Sequence, residues 1–288
     1  RRQRQMCIRD RFLGVLLIFV VSITSYLMDI NKSSLETFPT SGGKFSEGII
    51  GTPRFVNPVL AITQADYDLV NLIYSGPMSL NEEGVLENNL AESVTISEDG
   101  TVYNIILKEN IYFHDGEPLL TDDVAYTIGL IQDAELKSPL RGSWSGVMVE
   151  LIDDREINLV LEKPYSPFIE NLTIGILPKH IWENLATEEL PFSQHNIEPI
   201  GSGPYKVKEV KRNLSGLVEE YVLIANKDGN AKISEIIIHF YQNAEDLLEA
   251  EVPERAEYIR LMAAEVQRLA SHLMWLGAFG PDIGNLTL

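Results

Sequence analysis

Apolar residues recur along this chain with two periods, and the switching between them outlines an α/β fold. Over residues 121–132, Val124, Ile128 and Ile131 return at helical spacing. Asp122 and Asp123 precede them and suit the positive end of a helix dipole, and Thr121 is placed to cap the free amides. Leu69, Val70, Leu72 and Ile73 predict a second helix over residues 66–74. Strands are read from alternation: Ile157, Leu159 and Leu161 are spaced by Asn158 and Val160. Residues 147–152 and 156–161 flank Asp153-Asp154 as one hairpin, and residues 94–96 and 101–107 flank Ser97-Glu98-Asp99-Gly100 as another. Residues 217–225 and 233–241 predict two more strands, the second carrying Ile236, Ile237 and Ile238 in a row, as expected where both faces are covered. Pro167 opens a helix after the break at Pro164, and Asn243 caps one that runs to Ala250.

The two ends of the chain depart from this alternation. Residues 12–28 are uncharged and apolar, follow Arg9 and Arg11, and stop at Asp29. They predict an N-terminal transmembrane helix serving as a signal anchor, with a cleaved export signal as the alternative; their length is at the short end of the roughly 17–25 residues that span a bilayer. Arginines ahead of the apolar run put the body of the chain outside the cytoplasm, and residues 29–44, rich in Ser, Thr and Gly, read as a tether. Residues 1–11 stand apart as a non-native extension. At the other end, Ile259, Met262, Val266, Leu269, Leu273 and Leu276 form a stripe at three- and four-residue spacing between Pro253 and Gly277, which predicts one amphipathic helix.

Charge and cysteine usage narrow the function classes. The chain has 288 residues and a formal charge of −19. Without the five arginines and Asp10 of the first 11 positions, the remaining residues carry 18 basic and 41 acidic side chains. Such a body repels phosphate backbones, which excludes nucleic acid as a partner. The single cysteine, Cys7, leaves the body without a disulfide, thiolate metal cage or cysteine nucleophile.

Two stretches invite a chemical reading and do not sustain it. His114, Asp115 and Glu117 surround the Asp115-Gly116 turn, but three ligand-type residues in five positions cannot converge without further partners, so they read as turn and surface chemistry and neither as a metal site nor as a catalytic one. Gly201-Ser202-Gly203 resembles a phosphate loop, yet Pro204 removes an amide donor and a strand follows where a helix would be needed. No cofactor is implied. His180, at a helix start, reads as a cap or surface residue.

The same stretches carry a family resemblance. Phe113-His114-Asp115-Gly116-Glu117-Pro118-Leu119 with Asp123-Val124, and Pro199-Ile200-Gly201-Ser202-Gly203-Pro204-Tyr205, resemble two motifs of the extracellular solute-binding proteins, family 5, which serve ABC importers of peptides and nickel. Phe55-Val56-Asn57-Pro58, Ile73-Tyr74-Ser75-Gly76-Pro77, Ala91-Glu92-Ser93 and Leu177-Pro178-Lys179-His180 are similar to further elements in the same order. The resemblance implies a periplasmic-binding-protein-like first lobe over residues 45–250, α/β with a mixed sheet and hairpins, in which residues 59–170 form an inserted subdomain. It implies no enzyme activity, a peptide or other small solute as ligand, and a membrane permease as partner. Thr52, Arg54, Phe55 and Asn57 then lie at the cleft edge, although a plain proline-bounded loop would look the same. Tyr74 is placed to stack on a peptide or to pack, and Trp144 to reach the cleft or to fill the core.

After residue 250 the family pattern stops, where a second lobe is expected. Pro253-Glu254-Arg255-Ala256-Glu257-Tyr258-Ile259-Arg260 and Ser271-His272-Leu273, with Trp275-Leu276-Gly277, resemble an internal piece of the respiratory NADH:quinone oxidoreductase, from its D-type subunit. Residues 251–288 are therefore expected to be a foreign helical fragment, joined near residues 249–252 as a chimera, and electron transfer is the alternative function. A lobe without its counterpart offers half a cleft and predicts weak ligand binding or none.

Overall fold

The computed structural model describes residues 17, 20–26, 42–81, 83–226, 231–243 and 246. The chain divides after Ser41 into two compact units. In the first, Leu17 and residues 20–26 are helical, and the Thr24 hydroxyl donates back to the carbonyls of Val20 and Val21. Among the described residues no helix is long and apolar enough to cross a membrane. The rest of the anticipated anchor, residues 1–11, most of the tether and the expected helix of residues 252–288 lie outside the described residues.

The second unit begins with β1 (Lys44–Ile50) and returns to it much later through β8 (Tyr205–Arg212), β9 (Val218–Ala225) and β10 (Glu235–Tyr241), in the order β1-β10-β9-β8. β1 pairs with β10 in parallel, Lys44 opposite Glu235 and Ile50 opposite Tyr241, while the other pairs are antiparallel, so this sheet is mixed. Ile236, Ile238 and Phe240 of β10 are buried and Ile237 and His239 only half-buried. One face of β10 is therefore packed and the other partly covered, which corrects the expectation of full cover on both.

Between β1 and β8 the chain builds a second sheet from β4 (Ala91–Ile96), β5 (Val102–Leu107), β6 (Met148–Leu151) and β7 (Glu156–Val160), in the order β4-β5-β7-β6 and antiparallel throughout. These are the two hairpins expected from alternation. Tyr103, Ile105 and Leu107 of β5 and Ile157 and Leu159 of β7 point to one face and are fully buried. This unit also holds α1 (Gln64–Ile73), α2 (Thr121–Gln132) and two one-turn helices, α3 (Arg141–Trp144) and α4 (Lys179–Trp182), with 3-10 helices at Ser166–Thr173, Leu190–Phe192 and Gln194–Asn196 and a small hairpin of β2 (Met78–Leu80) and β3 (Leu86–Asn88). The first 3-10 helix delivers Phe168 between Tyr103 and Trp144, edge to face at 5.0 and 5.2 Å.

The start of α2 differs from expectation in a way that explains its sequence. Thr121 lies inside the helix and its hydroxyl donates to the Asp153 carbonyl at 2.5 Å. The cap comes from Asp123, whose Oδ2 accepts from Leu120 N at 2.9 Å and whose Oδ1 accepts from Lys179 N at 2.8 Å. One turn on, the Thr127 hydroxyl accepts from Leu177 N at 3.0 Å. Asp123 and Thr127 thus fasten the Leu177-Pro178-Lys179-His180 element to α2.

The two sequence motifs, nearly ninety positions apart, meet directly. His114 N donates to the Gly201 carbonyl at 2.8 Å, the His114 Nε2 bonds the Gly203 carbonyl at 3.0 Å, and Gly201 N donates to His114 Nδ1 at 3.3 Å. This pattern requires the neutral imidazole with its proton on Nε2. On the other side of the turn, His180 Nε2 lies 2.9 Å from Asp115 Oδ2, and its ring meets Phe113 edge to face at 5.8 Å. The glycines of the second motif are needed for approach: a Cβ on Gly201 would stand 2.1 Å from the Ile73 carbonyl oxygen, and one on Gly203 2.5 Å from the Ile73 carbonyl carbon.

Candidate functional site

In sheets with parallel strands, ligands gather outside the carboxyl ends of those strands. Here that end is where β1 and β10 finish together, and Gly51 N donates to the Tyr241 carbonyl at 2.8 Å as the chain turns out of β1. A cavity of about 330 Å³ opens there, lined by Thr52, Asn213, Glu219, His239, Tyr241 and Gln242 among others. His239 Nδ1 lies 3.2 Å from Glu220 Oε2, so this lining imidazole has an acidic partner on the neighbouring strand.

The loop beyond Thr52 is held by one carboxylate. Asp66, in the first turn of α1, is wholly buried, and its Oδ1 accepts from Arg54 N at 2.6 Å and Phe55 N at 2.8 Å. Its Oδ2 accepts from Thr63 N at 3.0 Å and Ile62 N at 3.3 Å, while Thr63 Oγ1 accepts in return from Asp66 N. Four backbone donors converging on two carboxylate oxygens fix the path of residues 54–63, and the helix dipole of α1 favours the negative charge. Arg54 is exposed and its guanidinium lies over the Phe55 ring at 5.3 Å, which presents a cation and an aromatic edge together. Sequence reading passed over Asp66, although Thr63-x-x-Asp66 ahead of an apolar run is a capping-box signal.

The expected ligand-facing residues separate into three groups. Thr52, Arg54 and Phe55 share this loop, with Thr52 in the groove wall. Asn57, at 2% exposure, faces inward: its Oδ1 accepts from Val59 N and its Nδ2 donates to Asn196 Oδ1 at 3.1 Å. A buried amide must spend its hydrogen bonds internally, so Asn57 shapes the loop from below and does not face a ligand. Trp144, at 2% exposure, packs on Phe168, so it fills the core and does not reach the cleft. Tyr74 is also buried, crossed by Gly175 and Gly201, and burial, then the charge of Tyr221, pushes its phenol pKa upward. It lines a different cavity from Thr52. The residues opposite Thr52, from Asn213 to Gln242, had no local signal because they reach the groove only through strand pairing.

Residues 85–251 match the family model described as bacterial extracellular solute-binding proteins, family 5 Middle. The chain belongs to that family. This family 5 chain is 32% identical over 219 residues to the oligopeptide-binding protein AppA of Bacillus subtilis (strain 168), an alignment covering 74% of it and 40% of AppA. Its fold matches AppA from Bacillus subtilis solved in complex with a nonapeptide, with a TM-score of 0.65 at 29% identity over 71% of this chain and 41% of that one. It also matches NikZ from Campylobacter jejuni in complex with Ni(L-His), with a TM-score of 0.60 at 31% identity over 69% and 39% of the two chains. The ABC transporter substrate binding protein CtaP from Listeria monocytogenes gives 0.62 at 30% identity over 71% and 42%. The family 5 chain thus spans about two fifths of the length of these relatives. The relatives are binding proteins and not enzymes.

Proposed function

We propose that this chain is the solute-capturing component of an ABC importer for peptides or similar solutes, working outside the cytoplasm, and that the loop bearing Thr52, Arg54 and Phe55 forms one wall of the capture site. The observation that carries this is the groove at the shared carboxyl end of β1 and β10, lined by Thr52, which leads into the loop that Asp66 pins through four backbone hydrogen bonds. A prearranged wall saves the ordering cost of binding. The bonding partners suit an extended peptide: a guanidinium for a carboxylate, an aromatic ring for a side chain, and the Thr52 hydroxyl and Gln242 amide for backbone groups. AppA, solved with a nonapeptide, favours peptide among the solutes of the family. Residues 45–250 act in this reading as one lobe, with residues 59–170 inserted into it. Residues 12–28, with arginines ahead of them, would export the chain and tether it to the membrane. No observation favours the electron-transfer alternative, which rests on residues outside those described.

The other wall of such a site closes over the ligand from a second lobe. Residues 42–243 by themselves are therefore expected to bind a pool of short peptides weaker than about 100 µM by titration calorimetry. Residues 42–243, substituted for the matching lobe of the Bacillus subtilis relative, are expected to bind the pool with a Kd of about 10 µM or tighter, and Arg54→Ala with Phe55→Ala in that protein to abolish binding. A lobe-exchanged protein that melts cooperatively and binds no peptide would overturn the proposal.

A further inference from the structure

A second concavity lies at the other end of the mixed sheet. Tyr205 pairs with Ala225, Ile224 with Glu235, and Glu235 with Lys44. Pro204 and Asn226 therefore stand where β1 and β10 begin, whereas Thr52 and Tyr241 stand where they finish. The seven residues of β10 put roughly 20 Å between the two ends, at about 3.3 Å per residue. The cavity holds about 720 Å³, within the range usual for small-molecule sites, and is walled by the end of α1, the β2–β3 hairpin, residues 108–112 and the Ser202-Gly203-Pro204 turn.

Its lining has a consistent chemistry. Asn71, Asn89, Asn110 and Asn226 contribute side-chain amides that form no hydrogen bond with a described residue. Tyr74, at 4% exposure, and Ser202 also line it, and the hydroxyl of each is buried without a hydrogen-bond partner among the described residues. Glu87 and Lys108 are the charged lining residues; their charges offset and neither forms an ion pair with a described residue. Tyr112, 44% exposed, offers a ring at the rim. The asparagine amides both donate and accept, so the ligand that satisfies them does the same. An apolar ligand would leave them unpaired, and an ionic one would meet no net charge.

We propose that this cavity is a second binding site, for a neutral polyhydroxylated ligand of the saccharide class: sugar hydroxyls pair with the asparagine amides, and the apolar face of a pyranose ring lies on Tyr112. The site is independent of capture at Thr52, so its failure would leave that reading untouched.

The test uses the full chain with N-acetylglucosamine, its β-1,4-linked trisaccharide and the zwitterionic dipeptide Ala-Ala, read by saturation-transfer difference NMR. Both sugars are expected to bind with Kd of about 1–10 mM or tighter. Tyr112→Ala and Asn71→Ala, both at exposed positions, each weaken binding about fivefold or more while keeping the wild-type melting temperature, and Glu87→Gln changes it less than about twofold. A trisaccharide that binds more tightly than the monosaccharide identifies a glycan strand as the source, and equal affinity a single sugar. Absence of transfer at about 20 mM sugar, transfer unaffected by both Tyr112→Ala and Asn71→Ala, or binding of Ala-Ala alone with loss on Glu87→Gln would each overturn the proposal.

Discussion

Asp66→Asn is expected to release the loop at residues 54–63 while leaving the shape of the core unchanged. The wild-type carboxylate accepts four backbone N–H groups at 2.6 to 3.3 Å in a wholly buried position. Asparagine keeps one acceptor oxygen; its NH2 group turns a donor toward the other two donors. Two hydrogen bonds to a charged group are lost, each contributing about 1.5–3 kcal/mol. Burying a neutral amide in place of a carboxylate returns part of that, which leaves a net loss of about 3 kcal/mol. For a unit of this size that lowers Tm by roughly 6–12 °C, at about 2–4 °C per kcal/mol. Calorimetry reads the melt, and amide hydrogen exchange reads the loop: Arg54, Phe55, Ile62 and Thr63 should exchange about 100-fold faster, with β5 and β7 little changed relative to the global shift. A melt within about 2 °C of wild type, or unchanged exchange at these four amides, would refute the idea that Asp66 holds the ligand wall.

Two further outcomes test the junction of the sequence motifs. His114→Ala removes the Nε2 and Nδ1 bonds to the second motif and is expected to cost about 2 kcal/mol at neutral pH. Burial holds the His114 pKa below its ordinary 6.5, with Lys206 adding to the effect and the Gly203 carbonyl and Asp115 opposing it. The unfolded chain therefore takes up a proton before the folded one, so this stability is present above about pH 6.5 and is lost as pH falls toward the folded value. Thermal melts between pH 7.5 and 5.5 should show a smaller drop in the Ala variant than in wild type, and equal drops would exclude the clamp. Gly201→Ala places a Cβ 2.1 Å from the Ile73 carbonyl oxygen and is expected to cost about 3 kcal/mol or more, read as a lower urea midpoint. An unchanged midpoint would mean that the close approach is not required.

Much of this fold was legible because its elements are local. The turns at Ser97–Gly100 and Asp153–Asp154 sit between alternating runs, and both hairpins form where alternation placed them. What escaped was set by distance. The β2–β3 hairpin has three-residue strands, too short to show a period. Thr121 looked like a cap, but the acceptor is Asp123, which also serves Lys179 across 56 positions. Asn57 looked available to a ligand, yet Asn196, supplied by a later segment, holds it inside, and of the two places open to Trp144 the contact with Phe168 decides for the core. The loop of Thr52, Arg54 and Phe55 could be located from its prolines and its motif. Its opposite wall could not, because Asn213, His239 and Gln242 come to the groove only once β8, β9 and β10 have stacked beside β1.

The parallel pairing of β1 with β10 has a consequence for how the chain comes to be folded. Lys44 and Glu235 face each other across 191 positions. During synthesis, β1 waits without its neighbour until β10 has appeared, and contacts of such long range are slow to form. Meanwhile Phe45 and Ile50, still 45% and 51% exposed in the finished molecule, belong to a naked strand. The earliest described strand of this unit is thus among the last to find a home.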